Sequence, residues 1–278
     1  MTYRTILVHC DAGPKAGQRL TVAAELAQRH SAHLVGAYVR PPLEAPVFFE
    51  GAMPMDMLFA SYEASANADQ AAAQAAFQKV LKGRHLSHEW RVTEGFVDSE
   101  LAMQARYADL LVVGQTDADA QTPTPSDLPE SIVMSTGRPT LVVPHIGARK
   151  PPGEKVMLCW NASRESARAA ADALPFLRGA KHVTILVVDP QTSNKRHGAE
   201  PGADAAQWLI RHGINVTVQR DVAVDSDVGD VILSRAADLD VDLIVMGVYG
   251  HSRLREMVLG GASRTLLSSM TVPVLISH

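Results

Sequence analysis

The chain has 278 residues and a formal charge of −4, and 46% of its residues are hydrophobic while 20% are charged. This length favours two domains of ordinary size, and the composition is that of a globular protein rather than a disordered one. The acidic balance argues against a nucleic-acid-binding surface, which needs an excess of lysine and arginine on one face. No apolar run approaches the roughly 20 residues needed to cross a bilayer, so we expect no membrane partner and a cytoplasmic location.

The first half alternates short apolar strands with helical segments. Its strands are predicted at 4–9, 33–39, 88–94, 109–114 and 140–144. They are continuous apolar runs, as expected of a parallel sheet that helices cover on both faces. A segment rich in proline and methionine, 41–59, follows the second strand, and the segment 145–155 combines glycine, proline and charge in a predicted linker.

The second half repeats this alternation. Its strands are predicted at 155–160, 182–188, 214–220, 242–247 and 272–277, and its helices near 163–178, 201–212, 226–238 and 259–269. In the first of these helices, 3.6-residue periodicity predicts a buried face. That face comprises Ala167, Ala170, Ala171 and Leu174.

Three ordered matches show that the halves are copies of one unit. Asp11 matches Asn161 at the end of the first strand, at an offset of 150, whereas Gly114 matches Gly247 at an offset of 133. Pro139 matches Pro273 at nearly the second offset, which places a net insertion of 17 residues in the first copy, assigned to 41–59. We therefore predict domains at 1–147 and 153–278. Each is expected to be α/β, a doubly wound, open, parallel five-stranded Rossmann-like sheet.

Glycines cluster after the fourth strand of the second copy, where open α/β sheets bind ligands. Gly247 and Gly250 let the backbone turn sharply and approach a ligand, and Gly260 and Gly261 open the last helix. Free N–H groups and the helix dipole favour a phosphate there, with the Ser263 hydroxyl in the first turn and positive charge from Arg253 on the loop. The alternative is that these glycines serve only tight turns.

With this loop, the chain resembles the universal stress protein family, specifically its tandem two-domain members. Gly247, Gly250 and Gly260 match the family pattern Gly-x2-Gly-x9-Gly, whereas Gly261 stands where the family often has serine or threonine. The first-strand signature, an apolar run ending in aspartate, is present as Asp11, with Asn161 in its place in the second copy.

The resemblance implies a fold like that of the adenine nucleotide α-hydrolases, and ATP, with or without magnesium, bound in the second copy. Asn161 would lie near the ribose or phosphates, Val187 against the adenine and Met246 beside the pocket. The start of the last helix would hold phosphate through Gly260, Gly261, Ala262 and Ser263. The resemblance also implies that the two copies pair as an intramolecular pseudo-dimer through 140–144 and 272–276, and a homodimer is a further option.

The first copy lacks these features. The chain after Gly114 has no glycine at the required positions, and Asp117, Asp119 and Asp127 bring negative charge to the same loop. Because like charge next to a polyphosphate opposes binding, we expect no ATP in this copy.

Competing chemistries have weaker signals. The pairs His30/His33 and His85/His88 have metal-like spacing but no accompanying ligands, so no metal site is assigned. The sequence lacks a Walker loop, a Gly-x-Gly-x-x-Gly turn and a Gly-x-Ser-x-Gly elbow, and no catalytic residue is assigned. We expect a stress-response protein that acts as a regulatory, nucleotide-binding module. The alternatives are an enzyme that slowly hydrolyses ATP or handles adenylates, with His251 or an arginine assisting, and a nucleotide-free scaffold.

Overall fold

A computed structural model describes residues 2–43, 55–115, 124–125, 127–190, 200–224, 226–248 and 261–278. The N-terminal half consists of β1 (Thr5–Cys10), α1 (Ala16–His30), β2 (His33–Arg40), α2 (Met55–Leu81), β3 (His88–Glu94), α3 (Val97–Ala105), β4 (Leu110–Gly114), α4 (Leu128–Thr136) and β5 (Thr140–Val143). The C-terminal half consists of β6 (Lys155–Cys159), α5 (Arg164–Asp172), α6 (Leu174–Leu177), β7 (His182–Val188), α7 (Ala203–Arg211), β8 (Val216–Asp221), α8 (Val228–Asp238), β9 (Leu243–Gly247), α9 (Gly261–Ser269) and β10 (Val274–Ser277).

The strands form one sheet in the order β3-β2-β1-β4-β5-β10-β9-β6-β7-β8. Within each half all neighbours are parallel and the first strand lies at the centre, which confirms the predicted doubly wound α/β fold. The two five-stranded sheets are continuous, because β5 and β10 pair antiparallel with Leu141 opposite Leu275. This is the pairing that was expected between the last strands of the two copies.

Helices cover both faces of the sheet. One buried apolar cluster includes residues of α1, α2, α5, α6 and α7, and the other includes residues of α3, α4, α8 and α9. A hydrophobic core lies on each face of the sheet, because the strands are apolar throughout, as parallel strands covered by helices usually are. Among the described residues, no helix combines the length and apolarity that spanning a bilayer requires.

The predicted helix at 163–178 differs from the structure in two respects. It is interrupted at Ala173, between α5 and α6, because Pro175 has no N–H to continue the helix and its ring would clash with the preceding turn. The predicted buried face was also wrong at two positions: Ala167 and Ala171 are exposed. The buried positions of α5 include Ser166, Ala169 and Ala170.

The additional residues of the first copy lengthen a helix. Helix α2 has 27 residues whereas its counterpart α7 has nine, a difference close to the inserted length. The predicted insertion at 41–59 therefore includes the beginning of α2, where Met55, Met57 and Phe59 are exposed, and its residues 44–54 lie outside the described part of the chain.

Side chains also join the two halves. The hydroxyl of Tyr3 donates to the main-chain oxygen of Asp172 at the end of α5 (2.8 Å). The buried amide of Gln115, directly after β4, donates to the main-chain oxygen of Leu267 in α9 (2.9 Å) and accepts from the N–H of His145 (3.0 Å). These contacts fix the position of α9 relative to the N-terminal half.

Candidate functional site

The candidate site lies at the carboxyl edge of the C-terminal half, where the strand order reverses around β6. The registers place Cys159 of β6 opposite Met246 of β9 on one side and Leu186 of β7 on the other. The chain leaves β6 two residues later at Asn161. Such a reversal is where open α/β sheets form a ligand crevice.

Asn161 is exposed and holds the turn that begins α5. Its Oδ1 accepts a hydrogen bond from the N–H of Ser163 (3.1 Å), and Ser163 in turn caps α5 in a reciprocal capping box with Ser166. This arrangement satisfies donors at the helix start that would otherwise lack partners. The amide NH₂ of Asn161 makes no hydrogen bond with the described residues, so it is free to donate to a ligand.

Gly247 serves packing rather than chain reversal. A Cβ at this position would overlap the backbone of Glu165 and Ser166 in the first turn of α5. Its φ is not in the left-handed region, so the absence of a side chain matters more than backbone freedom. The sequence indicated only that Gly247 lets the backbone turn and approach a ligand. The structure adds that it lets the start of α5 approach the end of β9.

Val187 and Met246 lie on opposite faces of the sheet. Val187 belongs to the cluster that contains residues of α5 and α7, and Met246 to the cluster that contains residues of α8 and α9. Val187 is fully buried beneath Gly202, where a Cβ would lie 3.2 Å from the Val187 side chain. Met246 therefore lies on the face covered by α8 and α9, the helices that flank the predicted phosphate site, whereas Val187 lies on the other face.

The described residues that were predicted to contact phosphate lie at the start of α9. Gly261 is exposed in the first turn, Ala262 is half-buried and Ser263 is buried. Helix α9 packs closely on α8, because a Cβ at Gly229 would lie 2.8 Å from the main-chain oxygen of Ala262. Gly250, Arg253 and Gly260 lie outside the described residues.

The start of α9 also has an acidic neighbour, Asp227, which the sequence did not indicate. Asp227 caps α8 by accepting from the N–H of Gly229 (2.6 Å), and its other carboxylate oxygen lies 3.2 Å from the position that a Cβ would take at Gly261. An aspartate directly before a helix is a recognisable capping signal, but its proximity to α9 follows only from the packing of α8 on α9. A carboxylate here repels a bare phosphate and attracts a cation.

The matching edge of the N-terminal half is filled by Arg19. Its guanidinium donates to Asp11 Oδ2 (2.9 Å) and to the main-chain oxygen of His9 (2.7 Å). A Cβ at Gly114, the counterpart of Gly247, would lie 2.6 Å from Arg19 Nη1. The repeat places Ala169 at the position of Arg19, so the C-terminal half has no equivalent side chain.

This arginine also sets the protonation of its neighbours. Burial alone would raise the pKa of Asp11, but the charge and hydrogen bond of Arg19 lower it to about 2. Burial, and then the charge of Arg19, lower the pKa of His9 to about 4. At neutral pH this edge therefore holds a paired carboxylate and a neutral imidazole. Of the acidic residues predicted to exclude ATP here, Asp127 precedes α4, whereas Asp117 and Asp119 lie outside the described residues.

Comparisons with known proteins agree with this architecture. The sequence model of the Universal stress protein family matches residues 2–143 and 153–278. A universal stress protein from Synechocystis, Slr1230, is 27% identical over 151 residues, 52% of this chain and 49% of its own, so the match spans about half of that relative. The crystal structure of a universal stress protein from Archaeoglobus fulgidus has a TM-score of 0.71 at 14% identity, covering 98% of this chain and 95% of that one. A solved universal stress protein in complex with cAMP is 20% identical over 52% of this chain and 99% of its own, with a TM-score of 0.33.

Proposed function

Because the chain belongs to the universal stress protein family, we propose that it binds an adenine nucleotide of the ATP type through its C-terminal half and acts as a regulatory module. The two units of this module would be residues 1–147 and 153–278. The observation that supports the proposal is that three features lie at the same carboxyl edge of the sheet, where the strand order reverses. These are the exposed Asn161, the end of β9 at Met246 and Gly247, and the α9 start with Gly261 and Ser263.

The chemistry of these groups suits a nucleotide. The first N–H groups of a helix have no partner within it, so those of α9, together with the helix dipole, favour phosphate oxygens. The Ser263 hydroxyl adds a donor in the same turn. We propose that the amide of Asn161 donates to a ribose hydroxyl or a phosphate. Gly247 contributes indirectly, since it allows α5 and its capped start to close one side of the crevice.

The N-terminal half is proposed not to bind ATP, for a reason more specific than an acidic loop. The guanidinium of Arg19 occupies the space beside Gly114 and is already paired with the carboxylate of Asp11. Its charge is therefore neutralised within the protein. A phosphate entering this half would have to displace Asp11 from Arg19 and leave a buried carboxylate without a partner.

Slow ATP hydrolysis is the second candidate function, and Asp227 is the observation that favours it. The carboxylate of Asp227, beside the proposed phosphate position, could bind a magnesium ion carried by the nucleotide, because Mg²⁺ is commonly bound by carboxylates together with phosphates. Release of phosphate over many turnovers in the presence of magnesium would support this candidate, whereas a single stoichiometric binding event would support the regulatory one.

A matched pair of variants tests the proposed site. Gly261→Asp places a carboxylate at the first turn of α9, where it should prevent ATP binding by repelling the phosphates. Gly17→Asp makes the same change in the first turn of α1, where a Cβ meets nothing within 4 Å, and should leave binding unchanged. Because a Cβ at Gly261 would lie 3.2 Å from Asp227 Oδ2, circular dichroism must show that both variants keep the fold. Wild-type affinity in Gly261→Asp would show that α9 does not hold the nucleotide.

A further inference from the structure

A cleft opens at the carboxyl ends of β1 and β2, in the half that is not expected to bind nucleotide. Its volume is about 150 Å³, and its walls include His9, Asp11, Gly13, Tyr38, Asp69 and Val97. This is below the roughly 300–1,000 Å³ of pockets that enclose drug-sized ligands, so the space suits a small molecule. We call it the N-terminal cleft.

The positive charge of Arg19 is not available to an anion in the cleft. Arg19 is buried, and its guanidinium is held by Asp11 and by the main-chain oxygen of His9. The charges of Arg19 and Asp11 cancel, and Arg40, whose charge also acts on Tyr38, is paired with Glu63. Among the described residues that line the cleft, the charge that remains is the carboxylate of Asp69, on α2, which makes no hydrogen bond or ion pair with the described residues. These charges therefore favour a cation.

Two further polar groups of the cleft lack partners. His9 lines the cleft and is 2% exposed, yet its Nδ1 has no hydrogen-bond partner among the described residues. The hydroxyl of Tyr38 also makes no hydrogen bond with them, and its pKa is raised by burial and by the negative charge of Asp69. A buried polar atom without a partner, such as His9 Nδ1, is rare in folded proteins and points to a missing ligand or water.

The remaining walls distinguish an organic cation from a metal ion. Tyr38 presents an aromatic ring that stacks on Trp90 (6.3 Å between centroids, 22° between planes), and Val39 and Val97 are apolar. In the described part of the chain no group of three or more metal-ligating side chains comes together. Aromatic and apolar walls next to one carboxylate suit an alkylammonium group, which carries a charge on an apolar stem.

We propose that the N-terminal cleft binds a small organic cation of the primary-amine class, with the carboxylate of Asp69 as its counter-ion and the Tyr38 hydroxyl as an acceptor. The apolar stem lies against Val39 and Val97. This binding is independent of the nucleotide proposed for the C-terminal half. The repeat thus places two ligand sites of opposite charge preference on one sheet, one in each half.

The test uses the full chain and three small probes of similar size: ethylammonium, ethanol and acetate. The NMR signal of the Gly13 amide, which lies on the cleft wall, is followed in each titration. Ethylammonium should shift this signal saturably, and the neutral and anionic probes should bind at least about tenfold more weakly, the factor expected for loss of one charge-assisted hydrogen bond. Equal binding of ethanol, or no saturable shift with ethylammonium, would overturn the proposal.

Asp69→Asn removes the charge with little change of shape and should weaken ethylammonium binding about tenfold. Asp56→Asn is the matched control, since Asp56 lies on the same helix but is exposed at its first turn. This control should bind ethylammonium as the wild type does. Unchanged binding in Asp69→Asn, or equal weakening in both variants, would show that Asp69 is not the counter-ion. The comparison among probes in the wild type stands even if Asp69→Asn fails to fold.

Discussion

Gln115 of the N-terminal half donates its side-chain amide to the main-chain oxygen of Leu267 in the C-terminal half, over 2.9 Å. The same amide reaches the main-chain oxygen of Ser268 (3.0 Å), so a single side chain caps the end of α9. Helix α9 carries the proposed phosphate contacts at its other end. The two halves are therefore joined through the helix that is proposed to hold the nucleotide.

Gln115→Leu should lower the free energy of unfolding by about 1–3 kcal/mol, because buried main-chain groups at His145 and Leu267 would lose their partner. Chemical denaturation measures this change. Gln78→Leu, at an exposed position of α2, is the control and should change stability by less than about 0.5 kcal/mol. Equal stability of the two variants would mean that the hydrogen bonds of Gln115 at the end of α9 contribute nothing to the free energy of unfolding.

The junction between β5 and β10 should not tolerate a charge. Leu275 is fully buried opposite Leu141, so Leu275→Lys would bury an unpaired ammonium and destabilise the junction by several kcal/mol. Thr271→Lys, at an exposed position just before β10, should have little effect. Size-exclusion chromatography and thermal unfolding compare the two. A compact, monomeric Leu275→Lys variant with wild-type stability would contradict the role of this junction.

Sequence patterns predicted the fold well because the signals were local. Continuous apolar strands and a repeated strand end at Asp11 and Asn161 were sufficient to predict two parallel sheets, whereas their junction was implied by the resemblance to the family. The site was predicted less completely, because its details depend on which side chains meet across elements. Arg19 looks like an ordinary helix residue until its guanidinium is seen beside Gly114, and Asp227 lies far from Gly261 in sequence.

Buried polar positions limited the prediction of helix faces as well. The face of α5 was assigned from alanines alone, yet Ser166 and Glu165 are buried because they contact the end of β9 at Gly247. Periodicity of apolar residues cannot detect a polar residue that is buried for packing reasons. This accounts for the incorrect burial predicted for Ala167 and Ala171.

Asp11 should contribute stability that depends on pH. Its pKa is lowered from 3.8 to about 2 in the folded chain, so the stabilisation is fully present above about pH 4 and is lost as pH falls towards 2. Asp11→Asn should lower the free energy of unfolding by about 2 kcal/mol at pH 7, with a smaller difference near pH 2. Denaturant titrations across this range measure the effect. A pH-independent difference for Asp11→Asn would contradict the pairing with Arg19.

Asp227→Asn should strengthen ATP binding in the absence of magnesium, because the native carboxylate beside Gly261 repels the phosphates. We expect an increase in affinity of about three- to tenfold, smaller when magnesium is present to screen the charge. Asp238→Asn, exposed at the opposite end of the same helix, gives the same change of net charge and serves as the control. Weaker binding in Asp227→Asn than in the control, with or without magnesium, would refute this electrostatic account.

The central claim is that one half of the repeat binds nucleotide and the other does not. Calorimetric titration of the full chain with ATP measures this directly as a stoichiometry. The occupied space beside Gly114 and the proposed phosphate site at the start of α9 predict about one ATP per chain. A stoichiometry near two would show that the N-terminal half binds despite Arg19, and no detectable binding would contradict the proposed function itself.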